Sequence, residues 1–390
     1  MVFVMTACAE NSSQSEKSQP AEQTTVQPTT MSAEEINDRK LDKFISDMTL
    51  EEKVGQMFFV RCPDEDAVQH VSEYNIGGYI LFGRDFDGKT KDEVVDDIHS
   101  YQNEADIPLL IGVDEEGGTV VRVSSNPNLR ETPFLSPKDT YADGGWDAVK
   151  QDAEEKADLL LSLGINVNLA PVCDMTSDEY GFMYDRSFSS DVDMENRYVR
   201  TVVETSKSKK LGTVLKHFPG YGNNSDTHTG IAYDDRDYSE FENTDFKPFY
   251  QGIESGADCI LVSHNIVNCM DSEYPASLSQ KVHDILRNEF KFDGVIMTDD
   301  LIMDAITDFT GDEAAAVTAA KCGNDLLCCS SVDTQYPAVL EAVQNGEISK
   351  AQVDASVKRI LKWKQNLGIF NIDTYQKKVK STEPTDTVGS

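Results

Sequence analysis

Apolar residues in this chain come in short blocks separated by longer amphipathic or polar stretches. After a polar head, Ala33 to Met48 places Ile36, Leu41, Phe44 and Ile45 at helical spacing. Eight apolar runs then follow one another: Gly55 to Val60, Gly78 to Phe82, Pro108 to Val113, Ile165 to Val172, Thr213 to His217, Cys259 to Ser263, Gly294 to Thr298 and Asp325 to Cys329. Several are continuous and rich in Val, Ile and Leu, the pattern of parallel strands covered on both faces. Amphipathic stretches lie between them, at Trp146 to Leu163, Asp191 to Lys210, Phe241 to Ser255, Ser279 to Phe290 and Glu313 to Lys321, and a helix from Lys350 to Leu367, capped by Ser349, closes the series. About eight strands alternating with helices predict an α/β fold: a (β/α)8 TIM-type barrel forming a single catalytic domain, with a doubly wound open sheet as the alternative.

Polar residues collect just after these strands. Asp114 follows Ile111-Gly112-Val113, Asp174 follows Pro171-Val172-Cys173, and Lys216-His217 closes Thr213-Val214-Leu215. His264 follows Leu261-Val262-Ser263, and Asp299 follows Ile296-Met297-Thr298. A single residue of this kind is commonly a helix cap, but in a barrel all strand ends open onto one face, so five together mark a site. The segment Lys216 to Gly230, KHFPGYGNNSDTHTG, runs from a strand end into a Gly/Asn/Ser-rich loop. Asp226 and His228 lie two apart in it, so in an extended segment both side chains point the same way and a carboxylate orients an imidazole. That is a proton-transfer unit suited to neutral pH, although an isolated Asp-x-His is more often a solvent-facing turn.

The same stretch resembles the signature loop of the single-domain β-N-acetylhexosaminidase branch of glycoside hydrolase family 3. MTLEEKVGQM from Met48, VDEEGG from Val113, NLAPVCD from Asn168, YDRSF from Tyr184, YPASLS and FDGVIMTDDLIM match in order, from about Met48 to Phe370. The resemblance implies a retaining β-N-acetylglucosaminidase acting on cell-wall or chitin-type oligosaccharides, with Asp299 as nucleophile and Asp226 with His228 as the acid/base unit. It carries sugar contacts to Asp114, Arg122, Arg186, Lys216 and His217, and it implies no cofactor and no metal. Three positions depart from the family pattern: Tyr221 stands where a histidine is common, Asn223-Asn224-Ser225 is one residue short, and Thr119 replaces a frequent arginine.

A retaining glycosidase needs an ionised carboxylate within covalent reach of the anomeric carbon and a proton donor on the leaving-group side. Lys216 is positioned by sequence to favour the charge of Asp299. Asp300 is the rival nucleophile; because successive strand side chains alternate, one of the two is expected to face the substrate and the other to cap the next helix. Should His228 not donate the proton, His264 and Asp174 are the next candidates. Other readings are a phosphorylase or β-glucosidase of the same family, a metal-dependent hydrolase using His217, Asp226 and His228, and a noncatalytic sugar-binding lipoprotein. The intact TDD and DTH motifs count against the last.

Composition narrows the partners. With 69 acidic and 35 basic residues the formal net charge is −34, which repels nucleic acid and anionic membrane surfaces. Cys173, Cys259, Cys328 and Cys329 sit in or beside apolar runs as small hydrophobes, and no CxxC pair suggests a metal or redox site. Cys8 differs: it follows Val4-Met5-Thr6-Ala7 and precedes a polar segment to about Thr30, which resembles a bacterial lipobox lacking its basic region and full apolar stretch. Lipidation at Cys8 implies an extracytoplasmic, membrane-tethered or secreted protein, a cytoplasmic one being the alternative. No run of about 18 apolar residues is present to span a membrane. Residues 1–31 are thus read as a lipoprotein-like start and linker, 32–372 as the barrel and 373–390 as a mobile tail, in a protein expected to be monomeric.

Overall fold

A computed structural model describes residues 1–2, 31–222, 230–310 and 312–377. They belong to two units, Met1–Arg39 and Lys40–Ser390. The first holds the opening of the helix Ala33–Asp47, where Ser32 N donates to Glu35 Oε2 (2.7 Å) and Glu35 N donates back to Ser32 Oγ (3.1 Å).

The second unit is built on eight parallel strands: β1 (Phe58–Arg61), β2 (Gly78–Leu81), β3 (Leu110–Val113), β4 (Val167–Asn168), β5 (Gly212–Phe218), β7 (Cys259–Val262), β9 (Val295–Thr298) and β10 (Leu327–Cys329). Their order is β10-β1-β2-β3-β4-β5-β7-β9. A parallel bridge between Met297 and Leu326, with Thr298 N donating to Leu326 O at 3.1 Å, brings the two ends together into a nearly closed barrel with helices outside it. Each of the eight apolar runs supplies one strand. Two further strands, β6 (Tyr233–Asp234) and β8 (Ile266–Val267), pair with each other outside the barrel and are too short to leave an apolar signature.

Two expected elements are shaped differently, each for a local reason. The run Ile165 to Val172 contributes only two strand residues, because Asn166 and Asn168 replace ladder bonds with their side-chain amides and Pro171 has no N–H to give. Asn166 spans Ile111 N and Leu109 O, and Asn168 spans the N–H and C=O of Glu115. The helix expected from Trp146 is the second part of Pro137–Leu163, which departs from helical geometry at Gly144 and at Gly145, where φ is 65°.

Side chains fill the barrel. A methyl group added to Gly112 on β3 would lie 2.5 Å from the Phe59 ring, so β3 needs glycine to make room for the aromatic ring on β1. Cys173, Cys259, Cys328 and Cys329 are free thiols buried in this packing, as the apolar pattern implied.

At the N-terminal ends of the strands, Lys364 of the helix Lys350–Asn366 is completely buried. Its ammonium donates to Gln56 Oε1 at 2.7 Å, and Gln56 Nε2 donates to Asn75 O at 2.8 Å. Burial pulls the Lys364 pKa down from 10.5 to about 7. The unfolded chain therefore holds this proton up to a higher pH than the folded one, so stability rises from about pH 7 towards pH 10 and the full penalty is present below 7. Lys364→Met is expected to flatten the rise in denaturant midpoint across that window. An unchanged slope would show that Lys364 is not the titrating group.

Candidate active site

The C-terminal ends of the strands enclose a cavity of about 410 Å³. Asp114, Arg122, Arg186, Lys216, His217 and Asp299 all line it, although they come from four different strand ends or the loops behind them. Asp226 and His228 lie outside the described residues, as does Cys8. A second cavity of about 220 Å³, at the other end of the barrel between Met48, Val71, Ile76, Ile107 and Tyr375, is more apolar and receives none of these strand-end groups.

The inner wall is a buried charge cluster. Lys216 Nζ lies 2.6 Å from Asp114 Oδ1 and 2.6 Å from Glu116 Oε1. Arg186 clasps the same Glu116 through Nε (2.9 Å) and Nη2 (2.8 Å). Burial by itself raises the Glu116 pKa, but the facing charges of Lys216 and Arg186 outweigh it and hold the carboxyl well below the usual carboxylate range. Burial likewise lowers the Lys216 pKa, and Asp114 and Glu116 more than reverse this, leaving it raised. The ion pairs of Lys216 are with Asp114 and Glu116, on the same cavity that Asp299 lines. Glu116 went unread in the sequence, yet it stands two residues after Asp114, the spacing that places side chains on one side of an extended segment.

His217 follows Lys216 directly and also faces the cavity; the peptide joining them is cis, and the pairing of β5 with β7 shifts register between Leu215 and Phe218. His217 Nδ1 is 2.7 Å from Asp174 Oδ2, and Nε2 is 3.3 Å from Arg186 Nη2. A guanidinium only donates, so Nε2 accepts and Nδ1 carries the proton towards Asp174. Asp174 is fully buried and also accepts the N–H of His217 (3.0 Å) and of Tyr221 (2.7 Å), which ties down the chain at the end of β5. Tyr221 is itself buried, with its ring against His217 and Phe182.

Neither Asp174 nor His264 reaches the cavity, which removes both as alternative proton donors. His264 is completely buried, with Nδ1 2.7 Å from Ser277 Oγ and Nε2 3.0 Å from the carbonyl of Asp300. A carbonyl only accepts, so Nε2–H donates to it and steadies the backbone next to Asp299.

β9 ends at Thr298, and both Asp299 and Asp300 line the cavity. The alternation argument thus fails one residue beyond the strand, where the backbone turns. Asp299 still belongs to the ladder, its N–H donating to Val262 O at 3.1 Å, and its Oδ1 accepts from Asp300 N at 2.9 Å. Asp300 does cap the following turn: its Oδ1 accepts from Ile302 N (3.2 Å) and its Oδ2 from Ser330 Oγ (2.8 Å), while burial raises its pKa. A carboxylate with both oxygens engaged in this way is a poor nucleophile.

The loop after β3 is held by Glu115, which accepts from the N–H groups of Arg122 (2.9 Å) and Val123 (2.7 Å) and from Ser124 Oγ. This turns Arg122 back over the cavity. Arg61, at the end of β1, completes that side and was not anticipated; its place at a strand end was the available signal.

Sequence and structure comparisons agree with this geometry. Residues 49–363 match the model of the glycosyl hydrolase family 3 N-terminal domain. A β-hexosaminidase of Hydrogenovibrio crunogenus is 31% identical over 286 residues, which are 71% of this chain and 79% of that protein. One from Nitrosomonas eutropha is 32% identical over 279 residues, 70% and 78% of the two chains. The solved structure of a glycoside hydrolase family 3 β-N-acetylglucosaminidase from a Paenibacillus species aligns with a TM-score of 0.78 at 29% identity, covering 88% of this chain and 66% of its own. With four-fifths of its length inside the family model and its charged side chains gathered at the barrel mouth, this chain belongs to glycosyl hydrolase family 3.

Proposed function

We propose that this protein is a retaining, exo-acting β-N-acetylhexosaminidase that releases terminal N-acetylglucosamine from cell-wall or chitin-type oligosaccharides. One observation carries the reading: Asp299 stands at a strand end in a cavity whose inner wall is the Asp114–Lys216–Glu116–Arg186 cluster. A family relationship to named β-hexosaminidases supports the choice of sugar. A cavity of about 410 Å³ closed at its inner end takes one terminal sugar and leaves the rest of the chain outside.

In the proposed reaction Asp114, Lys216, Arg186 and His217 hold the sugar hydroxyls by charge-assisted hydrogen bonds. The Asp299 carboxylate attacks the anomeric carbon as the bond to the leaving oxygen breaks, and His228, oriented by Asp226, gives that oxygen its proton. Water then displaces Asp299 from the same carbon and yields its proton to the same imidazole. The roles of His228 and Asp226 rest on the motif.

The native protein is further proposed to be an extracytoplasmic monomer, tethered through a lipid on Cys8 with the polar segment to about Thr30 as a spacer. Support for this is the sequence around Cys8 alone.

Two sets of measurements test these readings. An aryl β-N-acetylglucosaminide is expected to be hydrolysed in preference to the matching β-glucoside, with and without added phosphate. Asp299→Ala should lose nearly all turnover while remaining folded. His228→Ala should spare activated aryl glycosides and be rescued by azide. Preference for the glucoside, or wild-type turnover in Asp299→Ala, overturns the assignment. For the tether, the native protein should incorporate labelled fatty acid and Cys8→Ser should not; absence of label from the native protein removes that proposal.

A further inference from the structure

One fully buried carboxyl takes no part in the proposed reaction. Glu195 lies in the first turn of the helix Val192–Lys209, which follows the segment carrying Arg186, and its side chain is completely enclosed. The helix start is already capped, since Asp191 Oδ1 accepts from Met194 N at 2.9 Å. Glu195 reaches back past the helix instead: its Oε2 accepts from Ser189 N at 2.9 Å, while its Oε1 is buried with no partner.

The groups around it disfavour a charge there. Asp174 at the top of the barrel, Cys173 beside it, Tyr198 one turn along the same helix and Lys138 from the helix Pro137–Leu163 all face Glu195. Lys138 is the cation among them, and its ammonium is engaged elsewhere, donating to Tyr184 O at 2.7 Å and lying 3.5 Å from the centre of the Tyr184 ring. Burial pushes the Glu195 carboxyl well above the usual carboxylate range and the charge of Asp174 adds to this; the Ser189 N–H and Lys138 act the other way without reversing it. Donors are divided unevenly between the two acids. Asp174 receives three, from His217 N, His217 Nδ1 and Tyr221 N, and Glu195 receives one. An environment that sorts two buried carboxyls in this way leaves one of them charged and the other neutral.

The bond to Ser189 falls where it bears on the sugar-holding wall. Arg186 N and Ser187 N both donate to Met183 O, Ser187 is fully buried, and the Phe188 ring stacks on Tyr198 with centroids 4.6 Å apart. Glu195 fastens the next residue, so one helix turn holds this segment by a ring and by a carboxyl just beyond Arg186. Arg186 must arrive with its fork aligned to clasp Glu116 through Nε and Nη2 and to reach His217 through Nη2, an arrangement that small shifts of backbone undo. We propose that Glu195 is a positioning residue of the reaction, which by holding Ser189 N–H fixes the segment that presents Arg186 to Glu116 and to the sugar. It does so as the uncharged acid, leaving the negative charge to Asp174. The proposal rests on the hexosaminidase reading above for the choice of sugar.

The test compares kcat/KM on an aryl β-N-acetylglucosaminide. Glu195→Met, which fills the space but accepts no hydrogen bond, is expected to lower it about fivefold to tenfold, the worth of one buried hydrogen bond. Glu195→Gln, uncharged and still an acceptor, should recover most of the loss. In an Arg186→Lys background, where the two-pronged hold on Glu116 is already gone, Glu195→Met should cost about twofold or less, because both changes act through one guanidinium. An undiminished loss in that background makes Glu195 a support of the fold alone and overturns the proposal, as does wild-type kcat/KM in Glu195→Met. Should the methionine variant not fold, Glu195→Asp, one methylene too short for Ser189, gives the same reading. Charge is read separately. The folded chain keeps this proton to a higher pH than the unfolded chain, whose glutamate releases it near 4.5, so the wild type should lose stability relative to Glu195→Gln as the pH rises from about 4 to about 7. A gap between the two denaturant midpoints that does not change with pH overturns the uncharged state. If the wild type cleaves an aryl glucoside and not the N-acetylglucosaminide, the hexosaminidase reading has failed, and the same variants are compared on the glucoside, whose hydroxyls Arg186 would hold in the same way.

Discussion

Much of the barrel mouth depends on one carboxylate, Glu116. It is buried between an ammonium and a guanidinium, and each of those cations reaches a further partner: Lys216 reaches Asp114, and Arg186 reaches His217. Removing one member leaves a charge in a dry environment, which typically costs about 3 to 5 kcal/mol. The cluster is therefore rigid, and a sugar hydroxyl meets donors and acceptors already in place without first having to order them.

Around this cluster the protein spends several buried polar side chains on holding backbone. Glu115 gathers the N–H groups that turn the loop after β3, Asp174 ties the end of β5 and the start of the following loop, and His264 supports the carbonyl of Asp300. Of these, Asp174 and His264 look like site residues in the sequence, each standing just after a strand-forming run. What separates them from Asp114 and Asp299 is where their atoms face: each is fully buried and finds its partners within the protein, while Asp114 and Asp299 open on the cavity.

Several features were legible from the chain alone because their causes are local. The eight strands follow from apolar runs that only burial on both faces explains, the cap at Ser349 from a side chain that accepts from Gln352 N, and the position of Asp299 from its place one residue past such a run. The shortness of β4, the turn that brings Asp300 into the cavity beside Asp299, and the pairing of Lys216 with Asp114, 102 residues away, are of another kind. So are the pairing of Lys216 with Glu116 and the meeting of Arg61 and Arg122 on Phe82. Hydrophobic periodicity determines which residues enter the barrel and which end of a strand they occupy. Which charges meet across the mouth is decided only when the barrel brings distant strand ends together, because an ion pair depends on distance in space and leaves no period in the sequence.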